Sequence, residues 1–213
     1  MRNFFEEALE TIALAVLIFL VLHISIRNYR VELSSMENTL ISKDRILVNK
    51  LIYSHLDPVE VNNFLPFLSL GEDKGNMFFF RPPARGDIIV FQFPSDPTRD
   101  FVKRIIGLPG EAIHIKWGEV FINGVPLKEP YIQEKDDRTI SPFLIPEDGY
   151  FVLGDNRDGS SDSRDWGAVP LENIVGGVWI RYWPWSNWPV PAISLLDGDL
   201  EIDTSGNVVD KPL

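Results

Sequence analysis

The sequence predicts a mainly β domain, built as coiled antiparallel sheets or a partly open barrel, with one transmembrane helix at its N-terminus. Three observations carry this. Short runs of β-branched and aromatic residues recur from residue 44 to residue 183, bounded by glycine, proline, asparagine or aspartate. No helical pattern of any length appears after residue 26. One apolar run, residues 9–26, precedes everything else.

That run is unbroken for eleven residues from Ile12 to Leu22, extended by Ile24 and Ile26 and closed by Arg27. About eighteen residues just cross a hydrocarbon core of roughly 30 Å. A cleavable signal peptide would carry a basic flank, but Glu6, Glu7 and Glu10 stand there and no A-x-A-like site follows. The run therefore reads as a retained anchor over 9–27, behind a short flank at 1–8. Arg27 and Arg30 follow it and only Arg2 precedes it, which by the positive-inside rule points to a cytoplasmic C-terminal side.

The remaining β domain, 28–190, divides as follows. Residues 44–50 form a strand. Residues 57–83 form an insertion punctuated by Pro58, Pro66, Gly71, Gly75, Pro82 and Pro83. Its apolar residues Phe64, Leu65, Phe67, Leu68, Leu70 and Phe78 to Phe80 either cover the sheet from below, the reading preferred here, or make a second membrane contact. Strands follow at 87–93, 100–106, 112–117, 119–122, 150–153 and 175–183, with a tight turn at Asn123 and Gly124. Residues 111–147 form a smaller β subregion, and 191–213 a loose polar tail.

A net charge of −11, from 31 acids against 20 bases, argues against a nucleic-acid partner, because phosphate binding needs a basic face. Cysteine is absent, so disulfides, thiol nucleophiles and thiolate metal sites are excluded. No cofactor is expected. The histidines are poorly placed for catalysis: His23 lies in the anchor, His55 beside the insertion, and His114 on a face shared with Lys116.

Lysine can replace histidine as a base when its pKa falls. Neutralising an ordinary lysine at pH 7 costs about 4.6 kcal/mol, which desolvation can supply. In the strand 100–106, Lys103 shares its face with Phe101 and Ile105, both apolar, while Arg104 points to the opposite side. Such a lysine is a candidate proton acceptor, although a stem covering apolar surface with its head in water gives the same pattern.

Residues 154–167 place four acids, two arginines, three serines and three glycines in fourteen positions. An EF-hand fails here: counted from Asp155, Arg157 and Gly159 occupy ligand places, and counted from Asp158, Ser163 stands where glycine is needed. No metal site follows. The residues alone read as a self-satisfied polar loop in which Asp162 pairs with Arg164.

Three segments in this order behind an apolar anchor resemble the signature blocks of type I signal peptidases. They are Ser35-Met36-Glu37-Asn38-Thr39-Leu40, the run from Lys103 through Arg104 and Gly107-Leu108-Pro109-Gly110 to Glu111, and the loop from Gly154 to Arg164. The resemblance covers roughly residues 5–190. It implies a LexA-like catalytic core and a membrane-anchored serine endopeptidase that removes signal peptides from exported preproteins after small residues. Ser35 would be the nucleophile and Lys103 the general base. Ser34 and Ser160 would support the oxyanion and the amine, Ser160 by hydrogen-bonding Lys103. Met36, Asp155, Asn156, Arg157, Asp162 and Arg164 would brace the site. Leu33, Ile88 and Val90 would line shallow substrate pockets. It also implies a lipid bilayer and preprotein signal peptides as partners, with the catalytic domain on the extracytoplasmic or thylakoid-lumenal side, opposite to the charge rule.

Two departures keep an alternative open, a catalytically weak or inactive paralogue that binds signal peptides. The family usually has proline where Asn38 stands, which would fix φ just after the nucleophile. Many members also place a hydroxyl two residues before the nucleophile, where this chain has Leu33. A self-cleaving repressor of the LexA type shares the chemistry, but the anchor and the acidic charge stand against it.

Overall fold

A computed structural model of the chain describes residues 4–56 and 77–184, together with the backbone at 190–191, 201–202 and 208–209. The apolar residues Phe64 to Leu70 of the insertion and most of the tail lie outside the described residues.

Helix α1 runs Phe4–Ser25, longer at its start than the apolar run alone predicts. Glu6 and Glu7 sit in its first turn, where carboxylates favour the exposed amides and the positive end of the helix dipole. Its stretch Glu6–Ser25 is long and apolar enough to cross a membrane. At 1.5 Å per residue, twenty residues measure about 30 Å.

Strand β1 (Ile26–Arg30) follows directly and pairs with β2 (Arg45–Asn49). A short pair, β3 (His55–Leu56) and β4 (Met77–Phe78), stands apart from the main sheet. Next come β5 (Ile88–Phe93) and the long β6 (Asp96–Gly107). Strands β7 (Ala112–Lys116), β8 (Glu119–Ile122), β9 (Val125–Pro126) and β10 (Ile140–Leu144) form a four-stranded sheet in the order β10-β7-β8-β9. Asn123 and Gly124 turn the β8–β9 hairpin with φ of 50° and 84°, the left-handed values a two-residue loop demands. The chain returns through β11 (Gly149–Leu153), a four-residue helix α2 (Ser163–Trp166), β12 (Val169–Pro170) and β13 (Ile174–Trp183).

The main antiparallel sheet has the order β1-β2-β13-β5-β6-β11-β12, and Val190–Pro191 adds to β13. It is not closed. From β1 to β6 it curls around a core of Val31, Met36, Leu40, Ile46, Val48, Ile88, Val90 and Val178. Strands β1 and β6, four places apart in the order, thereby line the same cleft. On the other face, Ile89, Phe91, Ile105, Tyr150 and Val152 form a second core. A third core, with Ile106, Phe151 and Leu153 against Ile113, Ile115 and Val120, joins the small sheet to the large one.

Candidate active site

Ser35 stands at the start of a turn beyond β1. Glu37 N–H donates to Ser34 O at 2.9 Å and Leu40 N–H to Met36 O at 2.8 Å. The neighbours fix the turn, because Met36 and Leu40 are fully buried in the inner core. Burying one such side chain contributes roughly 2 kcal/mol. The serine next to Met36 therefore cannot drift.

Across the cleft, β6 presents Lys103, 4% exposed. Its Nζ lies 2.7 Å from Ser35 Oγ and 3.0 Å from Val102 O. The Phe101 ring centroid is 5.5 Å from the same nitrogen. Burial lowers the Lys103 pKa from the ordinary 10.5 to about 8; Asp162 and Asp155 pull it back up and Arg164 opposes them. Desolvation is the larger effect, and no carboxylate touches the amine among the described residues.

The loop after β11 holds this arrangement from behind. Asn156 donates from its backbone N–H to Ser35 O at 3.1 Å and from Nδ2 to Ser34 O at 3.2 Å. Gly154 lies between the two segments: a Cβ there would come within 2.5 Å of Ser35 O and 2.3 Å of Ser160 Oγ. Its N–H donates to Asp162 Oδ2 at 3.0 Å, and its carbonyl accepts from Arg157 Nε at 3.2 Å. Asp162 is fully buried and gripped by Arg164 at 2.7 and 2.8 Å. It also caps α2, with Asp165 completing a reciprocal capping box.

One ion pair ties the three sequence blocks together. Arg104 donates Nε and Nη2 to the two oxygens of Asp155 at 2.8 and 2.7 Å, and Nη1 to Gly86 O at 2.8 Å. Thr39 donates its hydroxyl to the same carboxylate. Arg104 is the neighbour of Lys103, Thr39 lies in the Ser35 turn, and Asp155 follows Gly154. The guanidinium also stacks on Tyr131, 4.1 Å from the ring centroid.

The cleft beside Ser35 and Lys103 encloses about 330 Å³, walled by Tyr29 to Leu33 on one side and Arg99 to Val102 on the other, with Ile46 and Val90 between. Below β1's partner, nothing among the described residues pairs with the outer edge of β1.

Several expectations need correction. Ser160 donates to Asp162 Oδ2 at 2.7 Å and makes no hydrogen bond to Lys103 among the described residues. Ile88 is buried in the inner core and does not line the cleft, whereas Val90 and Leu33 do. Ser34 is exposed, and its carbonyl rather than its hydroxyl is engaged. Asn38 has φ of 92°, a value proline cannot take, so this turn differs from the one a proline would set. Phe78 packs on the second core, as the preferred reading expects, whereas Phe79 and Phe80 are 63% and 69% exposed and do not cover the sheet.

Other features were missed in the sequence. The loop is not self-satisfied: Glu129 pairs with Arg157 and Asp136 with Arg164, both from the small-sheet region. Helix α2 stands where no helix was expected, although Asp162 and Asp165 at capping-box spacing were its signal. Strand β1, one wall of the cleft, was also unforeseen. Asp162 and Arg164 do pair, and His23 and His114 stack on Phe19 and Phe121 while His55 meets Phe78 at a tilt. Among the described residues, no group of three His, Asp or Glu side chains is placed to hold a metal ion.

Residues 5–183 match the sequence model described as signal peptidase, peptidase S26. The chain belongs to this family. Signal peptidase I of Leptolyngbya laminosa is 37% identical over 187 residues, covering 84% of this chain and 79% of that protein. A probable signal peptidase I-2 of Synechocystis is 36% identical over 192 residues, covering 85% and 74%. A crystal structure of a signal peptidase I from Enterococcus faecalis aligns with a TM-score of 0.41 at 34% identity, over 46% of this chain and 97% of that one. Membership in the signal peptidase family supports a peptidase, and signal-peptide removal as its activity.

Proposed function

We infer that this signal peptidase is a membrane-anchored endopeptidase with Ser35 as nucleophile and Lys103 as general base. The observation that carries the reading is the 2.7 Å contact between Lys103 Nζ and Ser35 Oγ, both buried, with the amine held near pKa 8 by desolvation. Once the amine is neutral, the contact reverses and the hydroxyl donates. The Ser35 proton passes to Nζ as Oγ attacks the scissile carbonyl. The Ser35 N–H, which meets no acceptor among the described residues, faces the developing oxyanion. The leaving amine takes the proton from Lys103; the Lys103 amine, neutral again, then deprotonates a water that attacks the acyl group, and returns the proton to Ser35 Oγ as the ester bond breaks.

The substrate enters as an extended strand in the seam between β1 and the outer half of β6, where both edges are free of strand partners among the described residues. Asp162 and Arg164 hold Gly154, and through it the loop that clamps Ser34 and Ser35. The bilayer is met first by α1. Phe79, Phe80 and Trp179 share a groove with Leu22 and Ser25 at the end of that helix, an arrangement suited to the membrane interface. Phe79→Ser/Phe80→Ser should lower liposome binding of an anchor-deleted chain severalfold; unchanged binding would remove this second contact. The catalytic domain is assigned to the extracytoplasmic or lumenal side.

The deciding experiment is cleavage of a model preprotein in detergent by wild type, Ser35→Ala and Lys103→Met, with the cut read by mass spectrometry. Cutting after a small residue by wild type alone is expected. A Ser35→Ala variant that still cuts would eliminate the dyad.

A further inference from the structure

Among the described residues, none of the small sheet lines the cleft. The small-sheet region reaches the reactive pair by another route, through Asp136. This aspartate lies in the connection between β9 and β10 and is 8% exposed. Its backbone is pinned to the β7–β8 turn. Gly118 N–H donates to Arg138 O at 2.9 Å, and a Cβ at Gly118 would come within 2.0 Å of Asp136 O. Glycine, here at φ of 73°, lets the turn approach so closely. Arg138 N–H donates to Asp136 Oδ1 at 3.3 Å, which leaves Oδ2 for Nη1 of Arg164.

Arg164 Nη1 has no other hydrogen-bond partner among the described residues. The guanidinium is a rigid planar fork, so holding one prong orients the others. Nη2 donates to Arg157 O and Asp162 Oδ2 at 2.7 and 2.8 Å, and Nε to Asp162 Oδ1 at 2.7 Å. Asp162 thus faces a fork held on its far side by Asp136. The same Oδ2 accepts from Gly154 N–H at 3.0 Å. Gly154 packs against Ser35 O, and Asn156 N–H donates to that carbonyl at 3.1 Å. Each step from Asp136 to the Ser35 backbone is therefore a polar contact or close packing. A staple that served the fold alone would have no need to end on the nucleophile's segment.

Resting on the endopeptidase reading above, we propose that Asp136 is a positioning residue for peptide cleavage: by anchoring Arg164 it keeps Asp162 on Gly154, and the Gly154 loop keeps Ser35 opposite Lys103. Asp136 touches neither the substrate nor the reacting atoms. Its loss leaves the cleft walls in place, so substrate binding is spared. What loosens is the geometry that the chemical step requires. A misplacement of about 1 Å is enough to cost about 10²-fold in rate.

The test compares the full chain in detergent as wild type, Asp136→Ala and Asp136→Asn, each assayed well below its melting midpoint. Asparagine has the same shape and keeps one acceptor, but loses the charge-assisted bond. The expected kcat is lower by about 10²-fold in Asp136→Ala and about tenfold in Asp136→Asn, with KM unchanged. Lys135→Gln, which breaks the neighbouring exposed pair with Glu119, should cleave as wild type does. Hydrogen exchange over residues 153–158 should quicken about tenfold in both Asp136 variants, with exchange over β5 unchanged. An unchanged kcat overturns the assignment whatever melting does, as does a raised KM at constant kcat. Exchange that quickens equally in β5 means general destabilisation and overturns it too. If Asp136→Ala does not fold, Asp136→Asn decides on the same terms. If wild type cuts nothing, the endopeptidase reading fails and exchange alone decides. Selective quickening at 153–158 then keeps the linkage from Asp136 to the Ser35 segment, and its absence removes it.

Discussion

Lys103 and Arg104 are adjacent on β6, equally buried at 4% exposure, and treated in opposite ways. Arg104 leaves the strand toward Asp155, which takes two of its N–H groups, while Gly86 O takes a third. Its charge is fully met. Lys103 finds a hydroxyl and a carbonyl, both neutral. One face of the strand solvates a cation with protein dipoles and charge; the other withholds charge, so that the cation holds its proton less tightly. The difference shows that burial alone does not decide what a basic residue does. The partner set decides, and alternation along one strand is enough to give neighbours contrary sets.

Exchanging the side chains should break the comparison most severely. Lys103→Arg places a guanidinium that stays protonated where the proposed mechanism needs a base. Peptidase activity should fall at least about 10³-fold, within the range a positioned base contributes. Arg104→Lys keeps the charge but cannot bridge both Asp155 oxygens or stack on Tyr131. Stability should drop by about 2 kcal/mol, read from denaturant midpoints, while a measurable rate persists at low temperature. Retained activity in Lys103→Arg would mean the two faces are not chemically distinct.

A quieter consequence concerns stability. A pKa lowered from 10.5 to about 8 means that Lys103 opposes folding while it is protonated. At about 1.36 kcal/mol per pH unit, the opposition is about 3 kcal/mol. The sign follows from proton counts. Below pH 8 both states carry the proton and the whole penalty acts. Between about 8 and 10.5 the unfolded chain keeps a proton that the folded chain has lost, so stability rises with pH. Lys103→Met should therefore melt higher than wild type at pH 7, with the gap closing toward pH 10.5. Wild-type activity should climb through pH 8 as the amine becomes neutral. A gap that does not depend on pH would show that the lysine is not strained by its site.

Much of this was legible from the chain. The period-two alternation around Lys103 gave its apolar neighbours and sent Arg104 to the other side, and the acidic loop announced the Asp162–Arg164 pair by their closeness in sequence. What stayed hidden was long-range. Arg104 and Asp155 are separated by 51 positions, and Arg157 reaches Glu129 across 28. Ile26–Arg30 carries no hydrophobic alternation because none of its residues is fully buried on either face, so neither β1 nor the placement of Tyr29 could be read. Local patterns gave faces, while partners across the fold required the sheet to curl.

The smallest effect belongs to Asn38, where the Ser35 turn departs from the family pattern. With φ of 92°, its backbone lies where glycine is at ease, asparagine is tolerated and most other residues are strained. Asn38→Gly should change stability by no more than about 0.5 kcal/mol and leave the cleavage rate nearly unchanged. Asn38→Ala, forced to hold the same φ without a compensating polar side chain, should cost about 1 kcal/mol. The turn is held on both sides of Asn38, by Met36 and Leu40 in the core and by Thr39 on Asp155, so the strain should appear in melting before it appears in rate. If Asn38→Gly instead loses activity with melting unchanged, the asparagine side chain takes part in presenting Ser35, and the turn is governed by more than its backbone.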